Sequence, residues 1–109
     1  MRRACSALLS VALGLSAAES QTEAYSVGIG RLSCAYWVSN SQREAEGRSW
    51  ALGFWTAYNA VNEFSRTVGA NTDTEVILGE VRKICVAEPS LGLADAIVRV
   101  DVRFLQDRA

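Results

Sequence analysis

The sequence predicts an all-α protein: a small four-helix bundle, stapled by a disulfide, that follows a cleaved signal peptide. Apolar residues recur at helical spacing, strand-like alternation is absent, and two cysteines remain once the leader is removed. Short predicted loops between the helices favour packing as a bundle. At 109 residues, the chain suits one domain with one core.

Residues 1–18 have the pattern of a secretory signal peptide, with two early arginines, a short apolar run and small residues before the cut. We expect cleavage after Ala18, with Ala24 as the alternative site. The other interpretation is an ordinary first helix. The apolar run is shorter than the ~20 residues of a membrane helix. We therefore expect a periplasmic or secreted protein without membrane insertion after cleavage.

The composition after residue 18 argues against several function classes. Nine basic and twelve acidic residues remain, a net charge of −3, which disfavours nucleic acid and anionic membranes as partners. The sequence has no histidine, the usual general base and commonest metal ligand. Two cysteines alone do not make a zinc site. We expect no catalytic residue, no metal and no cofactor, and hence a protein that binds other proteins.

Cys34 and Cys85 are the cysteines that follow the predicted leader. An even pair in a small exported domain is typical of a disulfide. Such a bond would close a loop of about 50 residues and add on the order of 4 kcal/mol of stability. The alternative is two free thiols used in redox chemistry, although they lack the C-x-x-C spacing.

Capping patterns indicate where the helices begin. Ser33 is a plausible cap for the first, "SQRE" from Ser41 begins the second, and "TDTE" from Thr72 begins the third. The predicted helices cover about 34–38, 41–66, 72–87 and 91–106. Residues 19–31 lack periodicity, so we expect a flexible lead-in before a single helical domain at 32–109.

The stretch "WALGFWTAYNAVN" lies in the second predicted helix and is apolar on nearly all sides, which predicts a central, surrounded helix. One stripe is large and apolar: Trp50, Phe54, Tyr58 and Val61. A second is small: Gly53, Ala57 and Ala60. Trp55, Asn59 and Asn62 occupy the remaining side. Either the two amides hydrogen-bond the loop around Val68–Asn71, or all three line a shallow polar recognition pocket.

The fourth predicted helix has two apolar stripes. The core stripe is Leu93, Ala96, Ile97, Val100 and Phe104. The second stripe is Val98, Val102 and Leu105, with Asp101 between the two. The second stripe is either covered by the lead-in or forms a surface for a protein partner or a second copy in a homodimer. Without histidine, an acid switch must use carboxylates, and Asp101 is the candidate pH-sensitive group, whose protonation we expect to free a surface.

A cysteine- and tryptophan-bearing short helix, then "WALGFWTAYNAVN", "TDTEVILGEVRKIC" and "EPSLGLADAI", resembles the HdeA-like family of small exported bacterial proteins, over about residues 33–105. The resemblance implies a disulfide-stapled helical fold and a role as an acid- or envelope-stress chaperone with many client proteins. "ALGFWTAYNA" and "GEVRKICVAEPSLGLADA" also look like the Tai-type immunity proteins. This second resemblance implies the alternative function, an immunity or inhibitor protein that neutralises one dedicated periplasmic partner.

Overall fold

The computed structural model describes residues 25–63 and 65–107, so the predicted signal peptide at 1–18 lies outside the described residues. A 3₁₀ turn at Gly28–Arg31 precedes four α-helices. These are α1 Cys34–Trp37, α2 Ser41–Val61, α3 Thr74–Ala87 and α4 Leu93–Asp107. The described ranges contain no strand, only an isolated antiparallel bridge between Ser33 and Gly92. The predicted all-α class is confirmed.

Polar side chains cap the starts of the first three helices. Ser33 caps α1, as predicted: its side-chain oxygen accepts a hydrogen bond from the backbone N–H of Tyr36. Asn40 rather than Ser41 caps α2, and Asp73 rather than Thr72 caps α3. Each side-chain oxygen satisfies a backbone N–H that has no partner inside the helix. The predicted starts are therefore correct to within two residues.

The long helix α2 ends at Val61, five residues before its predicted end. The indole Nε1 of Trp55 and the amide Nδ2 of Asn59 both donate to the carbonyl oxygen of Val68, at 2.8 and 3.0 Å. A helix continued to residue 66 would carry Val68 about 20 Å along the axis from Trp55, out of reach of both donors. The chain therefore leaves the helix early and folds back along it.

The disulfide between Cys34 and Cys85 joins α1 to α3, with Cα atoms 4.8 Å apart and both residues fully buried. Its predicted pairing is confirmed. Trp37, one turn after Cys34, is also buried, and its indole donates to the Glu44 carbonyl of α2 at 3.0 Å. The short helix α1 is thus joined to α3 by the disulfide and to α2 by the Trp37 hydrogen bond.

The core stripe of α4 agrees with its prediction, since Leu93, Ala96, Ile97 and Val100 are fully buried and Phe104 is half-buried. The prediction for α2 is wrong. Its buried positions are Gly47, Ala51 and Trp55, whereas Val61 is 80 % exposed and the small-residue stripe faces outward. The other elements all pack on one side of α2. Its apolar composition therefore does not make it a surrounded helix.

The aromatic stripe of α2 lies at the edge of the core rather than inside it. Trp50, Phe54 and Tyr58 are each half-buried. The Trp50 and Phe54 rings stack with centroids 5.0 Å apart, and Tyr58 meets Phe54 edge-on at 5.8 Å. These rings cover part of each other's apolar surface.

Part of the predicted lead-in is packed against this aromatic stripe. Ile29, in the 3₁₀ turn, is buried, and the Trp50 indole donates to the Val27 carbonyl at 2.9 Å. A Cβ atom on Gly30 would overlap the Trp50 ring, so glycine is required for this close approach. The packed part of the chain therefore begins before residue 32, the start predicted for the domain.

Two glycines of α2 give a matched test of this packing. A Cβ atom at Gly47 would overlap the Trp37 indole, whereas one at Gly53 would have no atom within 4 Å. Gly47→Ala should lower the free energy of unfolding by about 1–3 kcal/mol through overpacking. Gly53→Ala should raise it by about 0.5–1 kcal/mol, because alanine favours the helix. Urea unfolding measures both, and equal stabilisation by the two changes would contradict the packing around Trp37.

Removing the disulfide should destabilise the fold strongly. The double variant Cys34→Ala with Cys85→Ala is expected to lose on the order of 4 kcal/mol of unfolding free energy, because the bond closes a loop between residues 51 apart. Urea unfolding with and without reductant provides the control, since reductant should weaken the native protein and leave the variant unchanged. Alkylation of both cysteines in native, exported protein without reductant would contradict the bond.

Candidate functional site

The most unusual side chain in the described part of the protein is Asp101, in the second half of α4. It is only 2 % exposed, and neither of its carboxylate oxygens has a hydrogen-bond partner. Asp101 follows Ile97 by four residues, so the two share the side of α4 that faces the core. Buried carboxylates are normally paired, since desolvating the charge is costly. The helix therefore buries a charge that its own fold does not compensate.

The ion pairs on α4 and on the elements around it do not include Asp101. The five described pairs are Arg48–Glu75, Glu44–Arg82, Lys83–Glu80, Arg103–Glu80 and Arg99–Glu88. On the 3₁₀ turn, Arg31 donates to the Tyr25 hydroxyl. No described cation therefore offsets the buried charge, and burial alone raises the pKa of Asp101 above its ordinary value.

The direction of this shift reverses the pH response that the sequence suggested. A carboxyl whose pKa is raised in the folded state binds its proton more tightly when it is buried than when the chain is unfolded. Acid therefore favours the state with Asp101 buried. The penalty appears as the pH rises through the unfolded-state value of about 3.9 and is complete above the folded-state pKa. Protonation of Asp101 therefore favours the folded state, whereas its ionisation disfavours it.

The second stripe of α4 lies partly on the surface. Val102 is 40 % exposed, Val98 is half-buried, and Leu105 is half-buried against the core. The lead-in meets α4 at its start, where the Leu93 N–H donates to the Leu32 carbonyl at 2.9 Å. We call Val98, Val102 and Leu105 the α4 patch. Val102 is the most exposed of the three, and Asp101, its neighbour in the chain, is buried.

Three of the five ion pairs cross between helices, and a fourth joins Arg99 of α4 to Glu88, the residue after α3. Sequence reasoning missed all four. Arg48 and Glu75 are joined by two parallel hydrogen bonds, one of 3.0 Å, although 27 residues separate them in the chain. The pKa of Glu75 is lowered mainly by its hydrogen bond to Arg48, and that of Glu80 mainly by its bond to Lys83. Contacts this distant in the chain leave no local signal. Only a prediction of how the helices pack would have found them.

Two of these ion pairs lie over a cleft between α2 and α3. Glu44, Arg48, Glu75 and Arg82 line it together with Trp37, Leu78 and Gly79, around a volume of about 130 Å³. Glu44 and Arg82 are 2.5 Å apart, and the Arg82 guanidinium lies 5.2 Å from the centre of the Trp37 ring. The ion pairs therefore cover a large apolar side chain beside the disulfide. We call this region the α2–α3 cleft.

Trp55, Asn59 and Asn62, the three residues considered for a polar pocket, all contact the loop that follows α2. Trp55 is buried and Asn59 half-buried, and both donate to the Val68 carbonyl. The Asn62 side chain accepts a long hydrogen bond, 3.4 Å, from the Ser65 backbone. One proposed use of the amides, holding this loop, is thus observed for Asn59. The larger surface pocket beside the loop has none of the three among its lining residues.

Within 25–63 and 65–107, no group of three or more histidine, cysteine or acidic side chains is placed to hold a metal ion. The same ranges contain no helix that is both long and apolar enough to cross a membrane. No family model, curated protein or solved structure matches the chain. Fold and site therefore define an all-α protein with a buried disulfide and a buried, unpaired carboxylate. The resemblance to the HdeA-like family stays a prediction.

Replacing Asp101 should change how stability depends on pH. Asp101→Asn removes the ionisable group, so the variant should be about 1–3 kcal/mol more stable than the native protein at neutral pH. The advantage should shrink as the pH falls through the raised folded-state pKa and vanish below about pH 4, where Asp101 is protonated in both the folded and unfolded states. Urea unfolding from pH 3 to pH 8 measures it. Asp95→Asn, at the exposed start of α4, is the control, and a pH-independent difference for Asp101→Asn would contradict the assignment.

Substitutions at Val102 and Val100 test whether the α4 patch is a contact surface or part of the core. Val102→Asp should change the unfolding free energy by less than about 1 kcal/mol, because the side chain already reaches solvent. Val100→Asp, at a fully buried position, should lower it by several kcal/mol. Thermal unfolding and sedimentation compare both with the native protein. If Val102→Asp melts as early as Val100→Asp, the α4 patch belongs to the core and is no contact surface.

Proposed function

We propose that the protein is a small non-enzymatic protein-binding module of the periplasm or of the secreted fraction, acting as an acid-responsive chaperone of HdeA-like type. The observation that supports this best is the α2–α3 cleft. Its two ion pairs cover Trp37 and Leu78, and each depends on a glutamate. Acid removes such pairs, so the cover over these two apolar side chains is pH-dependent. A buried disulfide suits an oxidising compartment.

The direction of the pKa shifts fits an opening in acid. The pKa of Glu75 is lowered in the folded state by Arg48, so the stabilisation from this pair is present at neutral pH and is lost as the pH falls through the folded-state value. Each exposed pair contributes little by itself. Protonating all twelve acidic residues, however, leaves nine positive charges unopposed from residue 19 onward. Repulsion between helices then adds to the loss of the pairs.

The disulfide and Asp101 limit how far acid opens the molecule. Cys34 and Cys85 keep α1 joined to α3, and acid favours the buried, protonated form of Asp101 in α4. The expected acid form is therefore a loosened α2–α3 contact with the rest of the fold retained. Client proteins that unfold in acid would meet Trp37 and the apolar residues around it.

The test is protection of unrelated client proteins against aggregation, measured by light scattering from pH 7 to pH 2. We expect protection only in acid. The double variant Glu44→Gln with Glu75→Gln lacks both covering pairs, so its protection should begin at higher pH. Glu46→Gln with Glu63→Gln is the matched control, because neither exposed glutamate has an ion pair in the described structure. No protection at any pH, or an equal onset for both double variants, would refute the acid-chaperone role.

A dedicated partner is the second candidate, as expected of an immunity or inhibitor protein. The α4 patch supports this candidate, because Val102 is 40 % exposed there and follows the buried, unpaired Asp101 in the chain. This function predicts stoichiometric binding of one protein at pH 7 and no protection of unrelated clients. Val102→Asp would abolish that binding, whereas the Glu44 and Glu75 changes would leave it intact.

A further inference from the structure

A surface pocket lies between the loop that follows α2 and the last turn of α4. Its volume is about 260 Å³, enough for one large side chain but small for most organic ligands. Loop residues 67 and 69–72 form one wall, and Phe104 and Asp107 form the other. The pocket is separate from both the α2–α3 cleft and the α4 patch.

The walls of the pocket are held in place by contacts from beneath. Trp55 and Asn59 fix the Val68 carbonyl, and the Trp55 ring meets Phe104 edge-on at 5.8 Å. The loop turns at Gly69, whose φ of +87° suits glycine, and its backbone bonds itself twice, at 3.0 and 3.1 Å. A pocket with fixed walls loses little entropy when it binds a ligand.

The electrostatics of the pocket favour a cation. Asp107 is the one charged residue in the lining, and no lining residue is basic. The last described turn of α4, which carries Phe104 and Asp107, has no basic residue. Phe104 adds an aromatic ring, and the hydroxyls of Thr67 and Thr72 add acceptors. The carboxylate, the ring and the hydroxyl oxygens therefore all attract a positive charge.

We propose that this pocket binds an arginine side chain presented by a protein partner. The planar guanidinium suits a carboxylate beside an aromatic ring, and its methylene stem suits the apolar part of the wall. The inference rests on the protein-binding function and is independent of its acid response. The contact depends on the carboxylate of Asp107, the one charged residue in the lining.

The test uses N-acetyl-arginine amide as the probe and the neutral isostere N-acetyl-citrulline amide as its control. In an NMR titration at pH 7, the arginine probe should shift the amide signals of residues 67–72 and 104–107 saturably. The citrulline compound should bind at least fivefold more weakly. Asp107→Asn should weaken the arginine probe at least fivefold, because it removes the charge at a solvent-exposed position. Asp95→Asn, at the other end of α4, should leave its affinity unchanged.

Three results would overturn the proposal. The first is equal binding of the arginine and citrulline compounds, and the second is an unchanged affinity in Asp107→Asn. The third is binding that appears only after Arg108→Ala, which would mean that the next residue of the chain occupies the pocket. Failure of the client-protection assay would not affect these results, since the titration needs neither a client nor acid.

Discussion

The disulfide between Cys34 and Cys85 is the constraint on which the arrangement of the helices depends. Helix α1 has only four residues, too few to be stable alone. The bond joins it to α3, and its first two backbone N–H groups donate to the Leu91 and Pro89 carbonyls, at 2.7 and 2.9 Å. The loop before α4 is thereby fixed to α1. One buried turn thus sets the positions of three longer helices.

Carboxylates inside and outside this framework respond to pH in opposite directions. Glu75 and Glu80 at the surface have lowered pKa values and stabilise the fold at neutral pH, whereas Asp101 has a raised pKa and destabilises it there. In acid the surface ion pairs are lost, while the free-energy cost of burying an ionised Asp101 disappears. The two effects act on different helix contacts, so acid should redistribute stability within the fold rather than reduce it everywhere.

The sequence predicted those features whose cause is local. Caps and apolar periodicity located α1, α3 and α4, because neighbouring residues decide them, and Asp101 attracted attention by its place between two apolar stripes. The predicted environment of α2 was wrong. The helix is apolar on several sides, and its composition does not reveal which side the other helices cover. The ion pair between Arg48 and Glu75 depends on how the helices pack, and so does the partial exposure of Val102. No short stretch of sequence specifies this packing.

The early end of α2 and the surface pocket between the following loop and Phe104 have the same physical origin. For the side of α2 that carries Trp55 and Asn59, the sequence left open a recognition pocket or a hold on the following loop, and both side chains donate to the Val68 carbonyl. That contact stops the helix, turns the chain at Gly69 and brings the loop against Phe104. Trp55 and Asn59 therefore support the loop, and the pocket wall that the loop forms lies outside them. Changing either donor should disturb the loop before it disturbs the core, since Val68 has no other side-chain donor among the hydrogen bonds described.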